Sequence, residues 1–124
     1  MQPASPVVAT VDDDRRVRES VRSVLESAGY EGVSFESAEA FLESDAIASV
    51  TCVIADVRLP GIDGLELQRR VRSDRPRLPV VFITAHDDDE VRQRALRDGA
   101  LAFLVKPFDG GELLEHIARA TDHL

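Results

Sequence analysis

Four short apolar runs in this chain each stop on a group that can carry charge or a hydrogen bond, and that repeated stop limits the folds open to it. Val7-Val-Ala-Thr-Val11 stops at Asp12-Asp13, Val50-Thr-Cys-Val-Ile-Ala55 at Asp56, Val80-Val-Phe-Ile83 at Thr84, and Ala100-Leu-Ala-Phe-Leu-Val105 at Lys106. Runs this short and this apolar are strands buried on both faces. Stretches with helical spacing follow them, so the chain reads as repeated strand-then-helix units. Such an alternation builds an all-parallel sheet with helices on both sides, an α/β fold. In open sheets of this class the ligand site lies at the carboxyl edge of the strands. Three carboxylates, one hydroxyl and one ammonium would therefore meet at a single site, a set of groups suited to phosphoryl chemistry.

The remaining elements follow from local chemistry. Val17, Val21, Val24, Leu25 and Ala28 recur at helical spacing and Gly29 stops them. A weak second strand covers about 32–35, and Ser37 is placed to cap a short helix carrying Ala40, Phe41 and Leu42. The third strand is expected over 50–57. The turn-rich loop Arg58-Leu-Pro-Gly-Ile-Asp-Gly64 leads from it to a third helix with Leu65, Leu67 and Val71, ending before Pro76. A fourth strand runs from Pro79 to Thr84. Asp87-Asp-Asp-Glu90 opens a fourth helix whose inner face is read as Val91, Ala95 and Leu96, with Gly99 as its stop. The fifth strand, about 101–105, leads through Lys106-Pro107-Phe108 to a last helix. Asp109 caps that helix, and its stripe is Leu113, Leu114, Ile117, Ala118, Thr121 and Leu124. No linker or repeat interrupts the pattern, so residues 1–124 form one domain, with only Met1–Ser5 reading as loose.

Charge and composition narrow the functions. A net charge of −8 opposes a nucleic-acid or anionic-membrane surface on this chain. The apolar runs fall far short of the roughly 20 residues that cross a bilayer. No charged-then-apolar leader opens the sequence, which points away from secretion and toward the cytoplasm. The single cysteine, Cys52, fits a reducing compartment and lies inside an apolar run, where a thiol is a small buried hydrophobe. Of the 15 basic residues only Lys106 is lysine.

Adjacent carboxylates at one strand end repel each other and a third, Asp56, brought nearby. A hard divalent cation relieves that crowding, and oxygen ligands that leave room for phosphate oxygens suit Mg²⁺. Phosphoryl transfer asks mainly for positioning and for neutralised charge. Taken singly, each residue has an ordinary role: Asp13 or Asp14 as a helix cap, Thr84 as a β-branched strand residue, Lys106 as a solvated charge. Taken together at four strand ends, those ordinary roles no longer account for the pattern.

The pattern resembles the receiver domain of two-component response regulators over nearly the whole chain. The family's acidic pair matches Asp12 and Asp13, its phospho-acceptor Asp56, its hydroxyl residue Thr84 and its lysine Lys106. Asp56-Val-Arg-Leu-Pro-Gly-Ile-Asp-Gly64 is similar to the loop after the acceptor strand, and Lys106-Pro107-Phe108 to the family's lysine-proline element, typically cis at Pro107. The resemblance implies a flavodoxin-like (βα)5 fold, strand order 2-1-3-4-5. It further implies Mg²⁺ (or Mn²⁺) held by the Asp13 and Asp56 side chains and the Arg58 backbone carbonyl, with Asp12 acting through water. Thr84 would hydrogen-bond the phosphoryl group, Lys106 would pair with it, and Phe103 would be the switch aromatic. Arg58 and His86, each two residues beyond a site residue, occupy positions that tune phosphoryl lifetime in the family.

Ala38-Glu-Ala-Phe-Leu42, Ile83-Thr-Ala-His86 and Lys106-Pro-Phe108 look most like the nitrogen-fixation-regulator (FixJ-like) subgroup, whose receivers precede a helix-turn-helix output domain. The implied partners are a sensor histidine kinase and, once phosphorylated, a second copy of the chain. DNA would be reached only through an output domain absent from this chain. The domain would otherwise act as a stand-alone regulator through protein contacts. A haloacid-dehalogenase-like phosphatase is the rival enzyme reading. That family places a second aspartate two residues after its nucleophile, where this chain has Arg58. A nucleotide- or flavin-binding module on the same fold would need a phosphate-cradling glycine motif after the first strand, where Asp12-Asp-Asp-Arg15 stands.

Overall fold

The computed structural model describes residues 6–121. Five parallel strands, β1 (Val7–Val11), β2 (Glu31–Phe35), β3 (Cys52–Ala55), β4 (Val80–Thr84) and β5 (Ala102–Val105), form one sheet in the order β2-β1-β3-β4-β5. Five helices alternate with them: α1 (Arg15–Ser27), α2 (Ala38–Glu43), α3 (Gly64–Asp74), α4 (Asp89–Arg97) and α5 (Gly110–Thr121). This is the doubly wound arrangement and strand order expected from the sequence.

Strand periodicity sorts the core into two halves. Val8, Cys52, Ile54, Val81, Ile83, Ala102 and Leu104 pack with Val21 and Leu25 of α1 and Leu113, Ile117 and Ala120 of α5. Ala9, Val11, Val53, Ala55, Val80, Phe82 and Phe103 pack with Phe41 of α2, Leu65, Leu67 and Val71 of α3, and Ala95 of α4. Every residue of β3 and β4 is buried, which explains their unbroken apolar sequences.

Each helix starts on an oxygen that satisfies its first free amides. Asp14 accepts from Arg16 N, Ser37 from Ala40 N, Asp63 from Glu66 N, Asp88 from Glu90 N and Val91 N, and Asp109 from Gly111 N and Glu112 N. Caps of this kind contribute about 1 kcal/mol each. Between β3 and α3 a close approach demands glycine. A Cβ on Gly64 would lie 2.2 Å from the Asp56 carbonyl oxygen and 2.7 Å from Val57 Cα. Any side chain there would push the first turn of α3 off the peptide of Asp56.

Several details depart from expectation. β3 begins at Cys52 because a 3-10 turn, Asp45–Ala48, precedes it and takes Val50 N onto the Ala46 carbonyl. Leu96 is 44% exposed, because the buried line of α4 is Ala95 with half-buried Val91 and Leu96 projects off that line. On α5 the buried line is Leu113, Ile117 and Ala120, while Leu114, Ala118 and Thr121 are half-buried. Ala28 is the exposed C-cap of α1. The expectations for Met1–Ser5 and Leu124 lie outside the described residues.

Candidate functional site

The register of the sheet assembles the site. Val11 pairs with Ala55, so Asp12 and Asp56 follow side by side, and Asp56 N extends the ladder onto the Val11 carbonyl at 3.1 Å. Thr84 pairs with Val105, which places Lys106 one residue beyond the hydroxyl, with Lys106 N donating to the Thr84 carbonyl at 2.7 Å. From there the Lys106 side chain reaches across to the acids. Its Nζ lies 2.9 Å from Asp56 Oδ2 and 3.1 Å from Asp12 Oδ2.

The second oxygen of each buried carboxylate is held by backbone: Asp14 N donates to Asp12 Oδ1 at 2.9 Å and Arg58 N to Asp56 Oδ1 at 3.1 Å. Asp12 and Asp56 are 2% and 7% exposed, whereas Asp13 is exposed to solvent. One carboxylate oxygen from each of Asp12, Asp13 and Asp56 lies within 4.8 Å of the others. An all-oxygen donor set this compact, open on the Asp13 side, fits a hard cation such as Mg²⁺.

Burial and pairing compete at these groups. Burial raises the Asp12 pKa above its usual value, and the Asp14 amide and Lys106 offset this only in part. For Lys106 burial acts downward, but the hydrogen bonds to Asp56 and Asp12 and their charges outweigh it and leave the pKa raised. Burial wins at Asp12 because its side chain is only 3% exposed, against 18% for Lys106. A raised pKa on either group means stability that is complete below the unfolded value and lost as pH climbs through the folded one. Ionised Asp12 is thus a strained charge in the metal-free protein, while charged Lys106 stabilises it across the neutral range.

Thr84 is buried at the end of β4, and its Oγ1 accepts from His86 N at 3.3 Å. A hydroxyl keeps its own proton to donate while accepting, so Thr84 remains free to donate to an acceptor. The His86 and Arg58 side chains are exposed, and both residues touch the site through their backbone amides. The Lys106-Pro107 peptide is cis. Phe103 is buried, its ring centroid 6.3 Å from that of Phe82, its partner in register. Cys52 is fully buried and burial pushes its thiol up to about 12, which leaves it inert as a nucleophile.

Three residues around the site were not singled out in the sequence. Arg18 Nη1 donates to the Asp12 carbonyl at 2.7 Å. The Arg92 guanidinium carbon sits 5.3 Å from the centre of the Phe103 ring, a cation–π distance. Glu39 Oε2 accepts from Ile62 N at 3.2 Å and tethers the loop after Asp56 to α2. Position relative to the helix cap could have found Arg18, which stands at the fourth helical residue after Asp14 and so leans back over Asp12 and Asp13. Arg92 and Glu39 carry no such local signal.

Comparison with known proteins agrees with the fold. The response regulator receiver domain family matches residues 8–118. Nodulation protein W of Bradyrhizobium diazoefficiens is 39% identical over 116 residues, which cover 94% of this chain and 51% of that protein. The transcriptional regulatory protein FixJ of the same organism is 37% identical over 113 residues, covering 91% of this chain and 55% of that protein. The chain therefore spans about half the length of these relatives. Among solved structures, the response regulator StyR superposes with a TM-score of 0.85 at 43% identity, covering 94% of this chain and 59% of that one.

The geometry separates the roles of two neighbouring acids. Asp14 caps α1, whereas Asp13 adds repulsion to a crowded cluster. In the metal-free protein Asp14→Ala is expected to lower stability by about 1 kcal/mol, and Asp13→Ala to leave it unchanged or higher. Mg²⁺ should raise the melting temperature of the native chain and not that of Asp13→Ala. Urea unfolding and thermal melting check this, and a clear loss of metal-free stability in Asp13→Ala would reverse the assignment.

Proposed function

The chain belongs to the response regulator receiver domain family, and from that premise we propose that Asp56 accepts one phosphoryl group from a sensor histidine kinase in a Mg²⁺-dependent reaction. One observation carries this reading: the Asp12, Asp13 and Asp56 oxygens converge within 4.8 Å while the single lysine bridges two of those acids. An Asp56 oxygen attacks phosphorus, the bond from phosphorus to the kinase imidazole breaks, and the imidazole leaves with the electron pair. Mg²⁺, when bound, supplies positive charge that lets an anionic phosphoryl group approach a carboxylate.

The residues divide the work. Asp13 and Asp56 would hold the ion with their side chains, with Arg58 contributing its backbone carbonyl and Asp12 acting through water. Lys106 moves its ammonium from the carboxylate bridge to the phosphoryl oxygens. Thr84 donates its free hydroxyl proton to the same group. Arg58 and His86, whose side chains project into solvent at the rim, tune how readily water reaches the phosphoryl group. The domain is a signalling device that catalyses only its own phosphorylation and hydrolysis. The phosphatase alternative is not favoured, since an exposed Arg58 occupies the place of its general acid.

Output follows from the same site. Thr84 pulled toward phosphorylated Asp56 opens space for the Phe103 ring, which lies on the same side of the sheet as Phe82. The ring's turn reshapes the face formed by α4, β5 and α5, where Leu96 is exposed, and that face joins a second copy of the chain. A partner that prefers the reshaped face shifts the equilibrium by its differential affinity alone. Within a longer protein, as in the relatives of about twice this length, dimerisation would govern a DNA-binding output domain. Without one, the same face would bind another protein. The described residues contain no helix long and apolar enough to cross a membrane, and we place the chain in the cytoplasm with its kinase's catalytic half.

Intact-mass measurement after acetyl phosphate and Mg²⁺ should show one added phosphoryl group, absent from Asp56→Asn. Equal labelling of that variant would overturn Asp56 as the acceptor. Sedimentation velocity should show beryllofluoride-treated protein shifted toward dimer. Thr84→Ala should accept phosphate yet dimerise weakly, and a mass distribution that activation leaves unchanged would refute the output mechanism.

A further inference from the structure

We propose that Arg18 is a positioning residue for the metal-binding carboxylates, its guanidinium fixing the backbone that presents Asp12 and Asp13 to Asp56. The inference rests on the Mg²⁺-dependent reading of the Asp56 site. Asp12 and Asp13 occupy a short connection between the last ladder residue of β1 and the α1 cap at Asp14. Chain in such a connection has no regular hydrogen-bond partners, so each polar group must be held individually. Asp12 N donates to the Phe35 carbonyl at 3.1 Å, and the Asp12 carbonyl accepts from Arg18 Nη1 at 2.7 Å.

Asp13 has no comparable tether. Among the described residues its carboxylate takes part in no hydrogen bond or ion pair, so its direction is set by the peptide groups on either side. Asp14 fixes the following side as the helix cap. Arg18 fixes the preceding side through the Asp12 carbonyl, the group joined directly to Asp13 N. Asp13 reaches the shared 4.8 Å cluster only while both anchors hold.

The other arginines of α1 behave differently. Arg15 and Arg22 are exposed and pair with Glu19 and Glu26 one turn along, and Arg16 lies 4.0 Å from Asp14. Arg18 is half-buried and turns back along the helix toward the strand end. Side chains on a helix lean toward its N-terminus, and a residue one turn past the cap covers the segment before the cap. Arg18 is thus the one arginine of α1 whose position, reach and donor all serve the site.

Charge and positioning make opposite demands here, which makes the idea decidable. If Arg18 acted only as a nearby positive charge, its loss would tighten binding of a divalent cation. If it positions the acids, its loss weakens binding, as removal of groups that orient metal ligands does. Mg²⁺ affinity is measured by calorimetric titration of the unphosphorylated protein, alongside metal-free melting temperature. Arg18→Ala is expected to weaken Mg²⁺ by about tenfold. Arg18→Lys, which keeps a donor on a flexible stem, should recover part of that loss. Unchanged or tighter Mg²⁺ binding by Arg18→Ala overturns the proposal. So does a drop in melting temperature that leaves affinity intact in both variants. A native chain that binds no Mg²⁺ would overturn the phospho-acceptor reading itself, an outcome visible before any variant is compared.

Discussion

Lys106 Nζ stands between Asp12 and Asp56, 3.1 and 2.9 Å from their oxygens, and without it two buried carboxylates would face one another at the ends of adjacent strands. Burial removes the water that would screen them, so their repulsion acts in a medium of low polarity. The ammonium compensates one unit of that charge and leaves the cluster still acidic. A group with excess negative charge, held rigidly and open on the Asp13 side, is poised to take a cation. On the proposed reading, the resting and reactive states would share this arrangement of acids and differ in which positive charges attend it.

The sheet makes that arrangement possible at little local cost. Asp12, Asp56 and Lys106 are far apart along the chain, and parallel register alone brings them together. Helix caps fix the direction in which each loop leaves the sheet, Gly64 lets α3 press against the Asp56 peptide, and Arg18 and Glu39 tie down the two loops that flank the acids. The polar edge is supported by an apolar interior that is buried on both faces of β3 and β4. Beneath that edge, buried Thr84 keeps an uncommitted proton and buried Phe103 lies under the Arg92 guanidinium.

Much of this was legible in the sequence because its causes are local. Strand ends announced themselves through abrupt apolar-to-polar steps; Ser37 and Asp109 were readable as caps, Asp13 or Asp14 as alternatives for α1, and the Asp87–Glu90 segment as acids suited to a helix start. The acids and the lysine could be placed together because parallel topology carries every strand end to one edge. Other features depend on distances that no local pattern encodes. Helical spacing placed Leu96 on an inner face and overlooked Ala120, since small rotations of a helix decide which residue touches the sheet. The 3-10 turn ahead of β3 is tied to α3's C-cap by a tertiary contact, Arg75 Nη1 donating to the Ile47 and Val50 carbonyls at 3.0 and 2.6 Å. Arg92 and Phe103 meet only because α4 lies against β5, and Glu39 meets Ile62 only because α2 lies beside the loop after Asp56.

The presence of a single lysine lets the central interaction be observed directly, by nitrogen-15 NMR of the Lys106 side-chain ammonium across a pH titration. If the ammonium bridges Asp12 and Asp56, its resonance should be protected from solvent exchange and titrate above the usual lysine value. Both properties should change in Asp56→Asn and again when Mg²⁺ and beryllofluoride are added to the native chain. A Lys106 resonance that exchanges and titrates like that of a free lysine, and ignores Asp56→Asn, would contradict the account.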